Sequence, residues 1–409
     1  MINALWAGMF LIAAVTALIQ TLCGNTDAFN LIVSAIFKST QTAVEISIGL
    51  IGILSFWLGI LKLVEETGIA GKISEKLTPL FRVIMKDVPD NSPAISTVVL
   101  NMAANFLGLD NAATPTGLKA MEQLQKHNPQ KDTASDAQIL FMILNSSSIT
   151  FIPITIFMYR AQIGASRPTD VFIPILLATS MSTFVGFLSV AIKQRIPLTN
   201  KTLRKWLLGF VFIISLFAGG FYLIDSEKRL AVSAMLGNTL LFLLICTVIS
   251  AAVYKRVKCY EVFVDGAKEG FDVAIRILPY LLAMLAAIGV FRAAGILDLL
   301  TDGIKYLCIC CGGSGQFADA LPTALMKPLS GSGARAMMIE TMQTFGADSF
   351  AAFCASVIQG STETTFYVLT VYFGAVNISK TRYALKYALW ADFAGIIAAI
   401  AVSYLFYRP

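Results

Sequence analysis

From Val171 to Ile192 the chain carries no charged residue, and five other stretches repeat that pattern at similar length: Met1 to Thr26, Asn91 to Leu109, Ala137 to Tyr159, Trp206 to Ile224 and Leu230 to Tyr254. Such runs match the roughly 20 residues a helix needs to cross the hydrocarbon core of a bilayer. Shorter uncharged runs, Ile46 to Leu61, Ile277 to Phe291 and Phe393 to Tyr407, span with help from their flanks. The expectation is about eight to ten crossings. With 56% hydrophobic and 14% charged residues and a mean hydropathy of +0.73, a soluble globular domain is excluded and a lipid bilayer is the first partner. No Lys or Arg precedes Lys38, so the first run lacks the basic start of a secretory signal and reads as a retained helix. The net charge of +6 lies in short loops, where it orients the chain in the membrane, and does not imply nucleic acid.

Within this apolar sequence one polar motif occurs twice. Thr114-Pro115-Thr116-Gly117-Leu118-Lys119-Ala120-Met121 returns 216 residues later as Ser330-Gly331-Ser332-Gly333-Ala334-Arg335-Ala336-Met337. A second pair, Asn145 to Phe151 and Gly360 to Phe366, is 215 residues apart. The chain is a duplication, with halves from about Thr42 to Ile192 and Gly266 to Tyr407. The helices Trp206 to Ile224 and Leu230 to Tyr254 belong to neither copy. Lys193, Arg195, Lys201, Arg204 and Lys205 precede this helix pair, and Lys255, Arg256 and Lys258 follow it; both clusters therefore read as cytoplasmic. Counting crossings outward from there puts equivalent loops of the two copies on opposite faces, an inverted repeat of the kind secondary transporters use. The expected fold is an all-α polytopic membrane protein with two inverted repeats, each holding a re-entrant helical hairpin and a broken helix. The expected domains are 1–192, a linking helix pair at 193–258, and 259–409.

The polar motifs are the candidate site. Hydroxyls, amides and helix breakers at membrane depth are costly unless they line a cavity. Pro115 removes a backbone donor, and Gly108 and Gly117 permit sharp bends, so two half-helices are expected to meet at a polar tip; the second copy is expected to break at Ser330 to Gly333. Such tips present N–H groups and carbonyls to a solute or a coupling ion. The bland alternative is close helix packing by small residues. Glu363 is the only charged residue from Ser349 to Ser379. It could bind substrate hydroxyls, coordinate sodium or carry a proton, or it could be a carboxylate paired with Lys327 or Arg335. Its counterpart in the first copy is Ser148. Asp392 is a weaker candidate, and Glu340 and Asp110 are expected at the same polar centre. The expected substrate- or ion-binding residues are Asn105, Asp110, Asn111, Thr114, Thr116, Ser147, Ser148, Ser330, Ser332, Ser361, Thr362, Glu363 and Thr364. Neither a catalytic residue nor a cofactor is expected. His127 is the sole histidine, seven cysteines show no metal-ligand spacing, and no zinc-protease, hydrolase-elbow or phosphate-loop motif occurs.

The stretch Asn101 to Met121 resembles the spore maturation protein A family, and Lys327 to Ala334 with Gln359 to Val368 resembles the spore maturation protein B family. The likeness covers essentially the whole chain and implies a natural fusion of an A-like and a B-like half. Each half is similar to the nucleoside-recognition, or Gate, domain, shared with concentrative nucleoside transporters and the membrane part of GTPase-linked ferrous-iron transporters. The resemblance implies a multi-pass protein of the cytoplasmic membrane. The leading expectation is a transporter of a small polar solute, nucleoside-like by analogy and coupled to sodium or protons. The rival is a membrane scaffold in envelope or spore morphogenesis. A homo-oligomer fits either reading.

Overall fold

The structure, a computed structural model, describes every residue except Met1, Asp90, Asn91, Gly108, Leu109, Ser148, Cys311, Gly313, Arg408 and Pro409. In chain order its helices are α1 (Ile2–Leu22), α2 (Ala28–Thr67), α3 (Ile69–Ile84), α4 (Pro93–Phe106), α5 (Asp110–His127), α6 (Asp136–Ser146), α7 (Ile154–Gln162), α8 (Phe172–Lys193), α9 (Lys201–Leu223), α10 (Ser226–Tyr254), α11 (Cys259–Ala293), α12 (Ile296–Cys310), α13 (Leu321–Met326), α14 (Gly331–Phe345), α15 (Phe350–Ser361), α16 (Thr365–Ala375) and α17 (Ala384–Phe406). No β-strand occurs among the described residues; one bridge joins Thr133 to Lys380. The all-helical membrane fold expected from the sequence is the fold observed.

Among the described residues seven helices are long and apolar enough to cross a membrane: α1, α2, α8, α9, α10, α11 and α17. This is fewer than the sequence suggests, for two reasons. The run Asn91 to Leu109 yields only the 14-residue α4, about 21 Å long at 1.5 Å per residue and too short for a core of about 30 Å. The run Ala137 to Tyr159 splits into α6 and α7.

The breaks have local causes. Asn145, Ser146 and Ser147 are weak helix formers, and both serine hydroxyls turn back to the Ile143 carbonyl, at 3.1 and 2.8 Å. Pro153, just before α7, disfavours helix at Ile152. Between α13 and α14, Pro328 lacks a donor and Ser330 caps the new helix, its hydroxyl accepting from the Gly333 amide at 3.0 Å. The first hairpin differs from expectation. Pro115 lies inside α5, five residues past its start, where losing one intrahelical bond does not end the helix. The interruption instead falls after Phe106, ahead of Asp110; the expected hinge Gly108 lies outside the described residues.

The chain forms two compact units, each drawing on both halves of the repeat. The first comprises Met1–Gly59, Thr155–Pro168 and Val264–Gln359, the second Ile60–Ile154, Thr169–Phe263 and Gly360–Pro409. In the first unit, Ala13 and Ala17 of α1 pack with Ala28 and Ile32 of α2 and with Val290 and Ala294. Small residues let these backbones approach closely, as helices in lipid require. Trp6 Nε1 and Gln20 Nε2 donate to the carbonyls of Ala283 and Ala294, at 2.9 and 3.1 Å. Arg292 pairs with Asp298 at 2.6 Å and with Glu340, which also accepts from Thr344 at 2.8 Å. Arg160 is fully buried, donating to Ser356 and to the Pro168 carbonyl, each at 3.2 Å.

In the second unit the core gathers Val98 and Val99 of α4, Met121 of α5, Phe141 and Ile143 of α6, Val190 of α8, Phe373 of α16 and Ala388 of α17. Arg229, at the start of α10, donates to Tyr222 and Ile224 at the end of α9, both at 3.0 Å, and to Leu405 at the end of α17, at 2.5 Å. One cation thus satisfies orphan carbonyls at two helix C-termini, where positive charge also complements the dipole. The face of α9 that carries Leu208, Phe212 and Leu216 is exposed, as suits a helix facing lipid.

Candidate functional site

In the second unit both broken helices meet at their breaks. The Glu363 amide donates to the Ser146 carbonyl at 2.7 Å, tying the Thr362–Thr364 segment to the end of α6. These are the two members of the second repeated motif. The Ser147 carbonyl accepts from Thr183 of α8, and the Phe151 amide donates to the Phe106 carbonyl at 2.9 Å, with the two rings stacked at 5.2 Å. The break after α4 therefore closes on the break after α6.

A buried amide network lies beside this crossing. Asn105 donates to the Asn145 oxygen at 2.7 Å and the Tyr372 hydroxyl donates to it at 3.1 Å, while Asn101 donates to the Ala113 carbonyl at 2.6 Å. Asn101 is fully buried and Asn145 nearly so. At Gly117 a side chain would overlap the Tyr372 hydroxyl, so the glycine of the repeated motif is what admits that ring. Asn145 stands inside the second repeated motif and Asn101 at the start of the stretch that carries the family resemblance, both outside the expected site, and Tyr372 carries no sequence signal at all.

The expected site residues divide between the units. Asn105, Thr114, Thr116, Ser147, Ser361, Thr362, Glu363 and Thr364 belong to the second unit, Ser330 and Ser332 to the first. Ser148 lies outside the described residues, as do the side chains of Asp110 and Asn111. The Thr116 hydroxyl turns to the Ala113 carbonyl at 2.9 Å, and Ser330 and Ser332 lie 3.2 Å apart through their hydroxyls. Glu363 is exposed, whereas the flanking Thr362 and Thr364 are buried. Among the described residues the Thr362 and Thr365 hydroxyls are buried without a hydrogen-bond partner. Thr362 is held close: a side chain at Gly395 would meet its methyl group at 2.7 Å and Ser182 at 2.9 Å. Glu340 is engaged by Arg292, Asp392 is buried on α17, and no cluster of three potential metal ligands occurs among the described residues. A surface cavity of about 700 Å³ lies among loops of the second unit, against Asp87, His127, Asp136 and Arg382, and takes in none of the expected site residues.

Interrupted helices, a buried amide network and seven candidate spans define a multi-pass helical membrane protein. Residues 47–162 match the Gate family, described as nucleoside recognition. The chain is 38% identical over 182 residues to spore maturation protein A of Bacillus subtilis (strain 168), covering 44% of this chain and 90% of that protein. It is 48% identical over 148 residues to spore maturation protein B of the same organism, covering 36% of this chain and 82% of that protein. The chain belongs to the family of spore maturation proteins A and B.

Proposed function

We propose that the protein is a transporter of a small polar solute in the cytoplasmic membrane, nucleoside-like in class and coupled to sodium or protons, with its site at the crossed breaks of the second unit. The observation that carries this is the contrast at Thr362–Thr365. The Glu363 carboxylate is exposed, while the hydroxyls of Thr362 and Thr365 are buried and unpartnered. A buried hydroxyl left without a partner costs about 1–3 kcal/mol, a cost that a bound cation or solute hydroxyl would offset. Unwound backbone supplies further carbonyls, as in transporters built on discontinuous helices. The match to a nucleoside-recognition family agrees with this class of solute. Asn105, Thr114, Thr116, Ser147, Ser361 and Thr364 would line the surroundings. Ser330 and Ser332, with the inverted relation of the halves and the boundaries 1–192, 193–258 and 259–409, stand as parts of the same reading.

The test is thermal-shift screening of the purified protein against nucleosides and other small polar solutes, at varied sodium and pH, with uptake into proteoliposomes. A solute should raise the melting midpoint of wild type and not of Glu363→Gln. The absence of any response in wild type, with Glu363→Gln behaving identically in cells, overturns the reading. A scaffold in spore or envelope morphogenesis, suggested by the relatives' names, requires instead that Glu363→Gln lose partner recovery with no change in flux.

A further inference from the structure

We propose that the chain is a tethered pair: the segment from Val257 onward is a docking partner for the segment ending at Arg256, and the peptide link between α10 and α11 is not what holds them together. The proposal is independent of any transport activity.

The link is passive. Lys255, Arg256 and Lys258 are exposed, and Arg256 is in the left-handed region, at φ 57. The amides of Lys255, Arg256 and Val257 reach only the preceding turn, at Ala251, Val253 and Ala252.

The interface across that link is extensive within each unit. In the second unit it includes the Glu363–Ser146 bond and the Tyr372–Asn145 bond, both at or beside buried positions. The amides of Ser379 and Lys380 donate to the Asp132 carbonyl, and the Ala134 amide returns a bond to the Lys380 carbonyl, each at 3.0 Å. The flanking ion pairs Lys380–Asp132 and Arg382–Asp136, both 2.7 Å, fix its register by charge. Arg229 caps the end of α17. In the first unit, by itself, Trp6 bonds to the Ala283 carbonyl of α11 and Gln20 to the Ala294 carbonyl just past its end, Arg160 donates to Ser356, and the Ser166 amide donates to Asp348 at 3.0 Å. Separation would leave Asn145, Tyr372 and the Arg160 guanidinium without these partners in a low-dielectric setting, where each such loss is costly. Loop charges give specificity, and buried aromatic and arginine anchors give strength, the usual division in protein interfaces. That the two Bacillus subtilis relatives are separate proteins is the arrangement such an interface permits.

The experiment uses the full chain, tagged at both ends, with a specific protease site inserted between Arg256 and Val257. After purification in detergent and cleavage, the protein is diluted into excess empty micelles and passed through gel filtration. Co-elution of both fragments in equal amount is expected; separate elution, with the uncut protein behaving as wild type, overturns the proposal. Where the insertion disturbs folding, limited trypsin cleavage of the unaltered chain at Lys255, Arg256 or Lys258 gives the same readout by fragment mass. In the cleaved protein, Asn145→Ala should shift half-dissociation to roughly tenfold higher concentration, for a loss of about 1.4 kcal/mol. Retention unchanged by that substitution overturns the docking surface assigned to Asn145 and Tyr372.

Discussion

The Glu363 amide and the Ser146 carbonyl, 2.7 Å apart, join a residue just ahead of one helix to the last residue of another. A helix that stops inside a membrane leaves donors or acceptors unpaired. Here one break supplies the donor and the other the acceptor, and the bond uses only main chain. The Glu363 side chain is left free of any structural duty in that bond.

Glu363→Gln and Glu363→Ala should therefore preserve the fold. The melting midpoint in detergent is expected to change by no more than an exposed substitution elsewhere, about 0.5 kcal/mol. A drop of several kcal/mol would show that the carboxylate holds the break together.

Asn145 is the opposite case, since Asn105 and Tyr372 both donate to its oxygen. Asn145→Ala should cost about 1–3 kcal/mol by orphaning buried donors. Tyr372→Phe removes one donor and should cost less. Thermal unfolding of both single variants and the double variant should reveal non-additivity.

Gly117→Ala should destabilise through collision with the Tyr372 ring rather than through backbone strain. Tyr372→Leu in the same chain should recover part of the loss. Equal losses with and without that second change would place the clash elsewhere.

Arg292 and Glu340 are largely buried, with side-chain exposures of 15% and 10%. Removing one partner alone, as in Glu340→Leu, should cost about 3–5 kcal/mol, whereas Arg292→Met with Glu340→Leu should approach wild type. By contrast, Lys258 and Glu261 form an exposed pair, and Lys258→Ala should be silent in the same assay.

The loop contact between the halves should respond to acid. The hydrogen bond from Lys380 holds the Asp132 carboxyl below its ordinary value of 3.8. A depressed pKa contributes stability above the unfolded value, and that contribution is lost as pH falls through the folded one. Protection of the Ser379 and Lys380 amides, measured as exchange relative to the intrinsic rate at each pH, should therefore fall below about pH 4 in wild type, and Asp132→Asn should flatten that dependence. Tyr383 behaves in the reverse sense. Burial and its hydrogen bond to Asp136 raise its pKa, so its neutral, donating form persists through the physiological range and is lost only in strong alkali.

What was legible in the sequence follows from range. The break at Thr362–Thr364 shows because hydroxyl residues and one carboxylate interrupt 31 otherwise uncharged residues. The break expected at Ser330 to Gly333 falls instead at Lys327–Ser330, because Pro328 ends the preceding turn and Ser330 caps α14, of which Gly331 to Gly333 form the first turn. The first interruption falls elsewhere than at Pro115, which lies beyond the first turn of α5 in a helix that continues through it despite the lost bond and clash that proline brings to a helix interior. Tyr372 and the Arg292–Glu340 pair were invisible for another reason. A tyrosine in an apolar helix gives no hint that its hydroxyl reaches Asn145, 227 residues away. Charges 48 residues apart pair only once tertiary packing brings α11 to α14.

The order of synthesis adds a consequence to the crossed breaks. Ser146 emerges from the ribosome 217 residues before Glu363. At about 5–20 residues per second that delay is roughly 10–40 s. During it the Ser146 carbonyl lacks the Glu363 amide and Asn145 lacks the Tyr372 hydroxyl, although Asn105 is already made. A chain in this state keeps a helix end unsatisfied at membrane depth until α16 and α17 arrive. Messages truncated before Gly360 should accordingly yield a product that inserts and is then degraded.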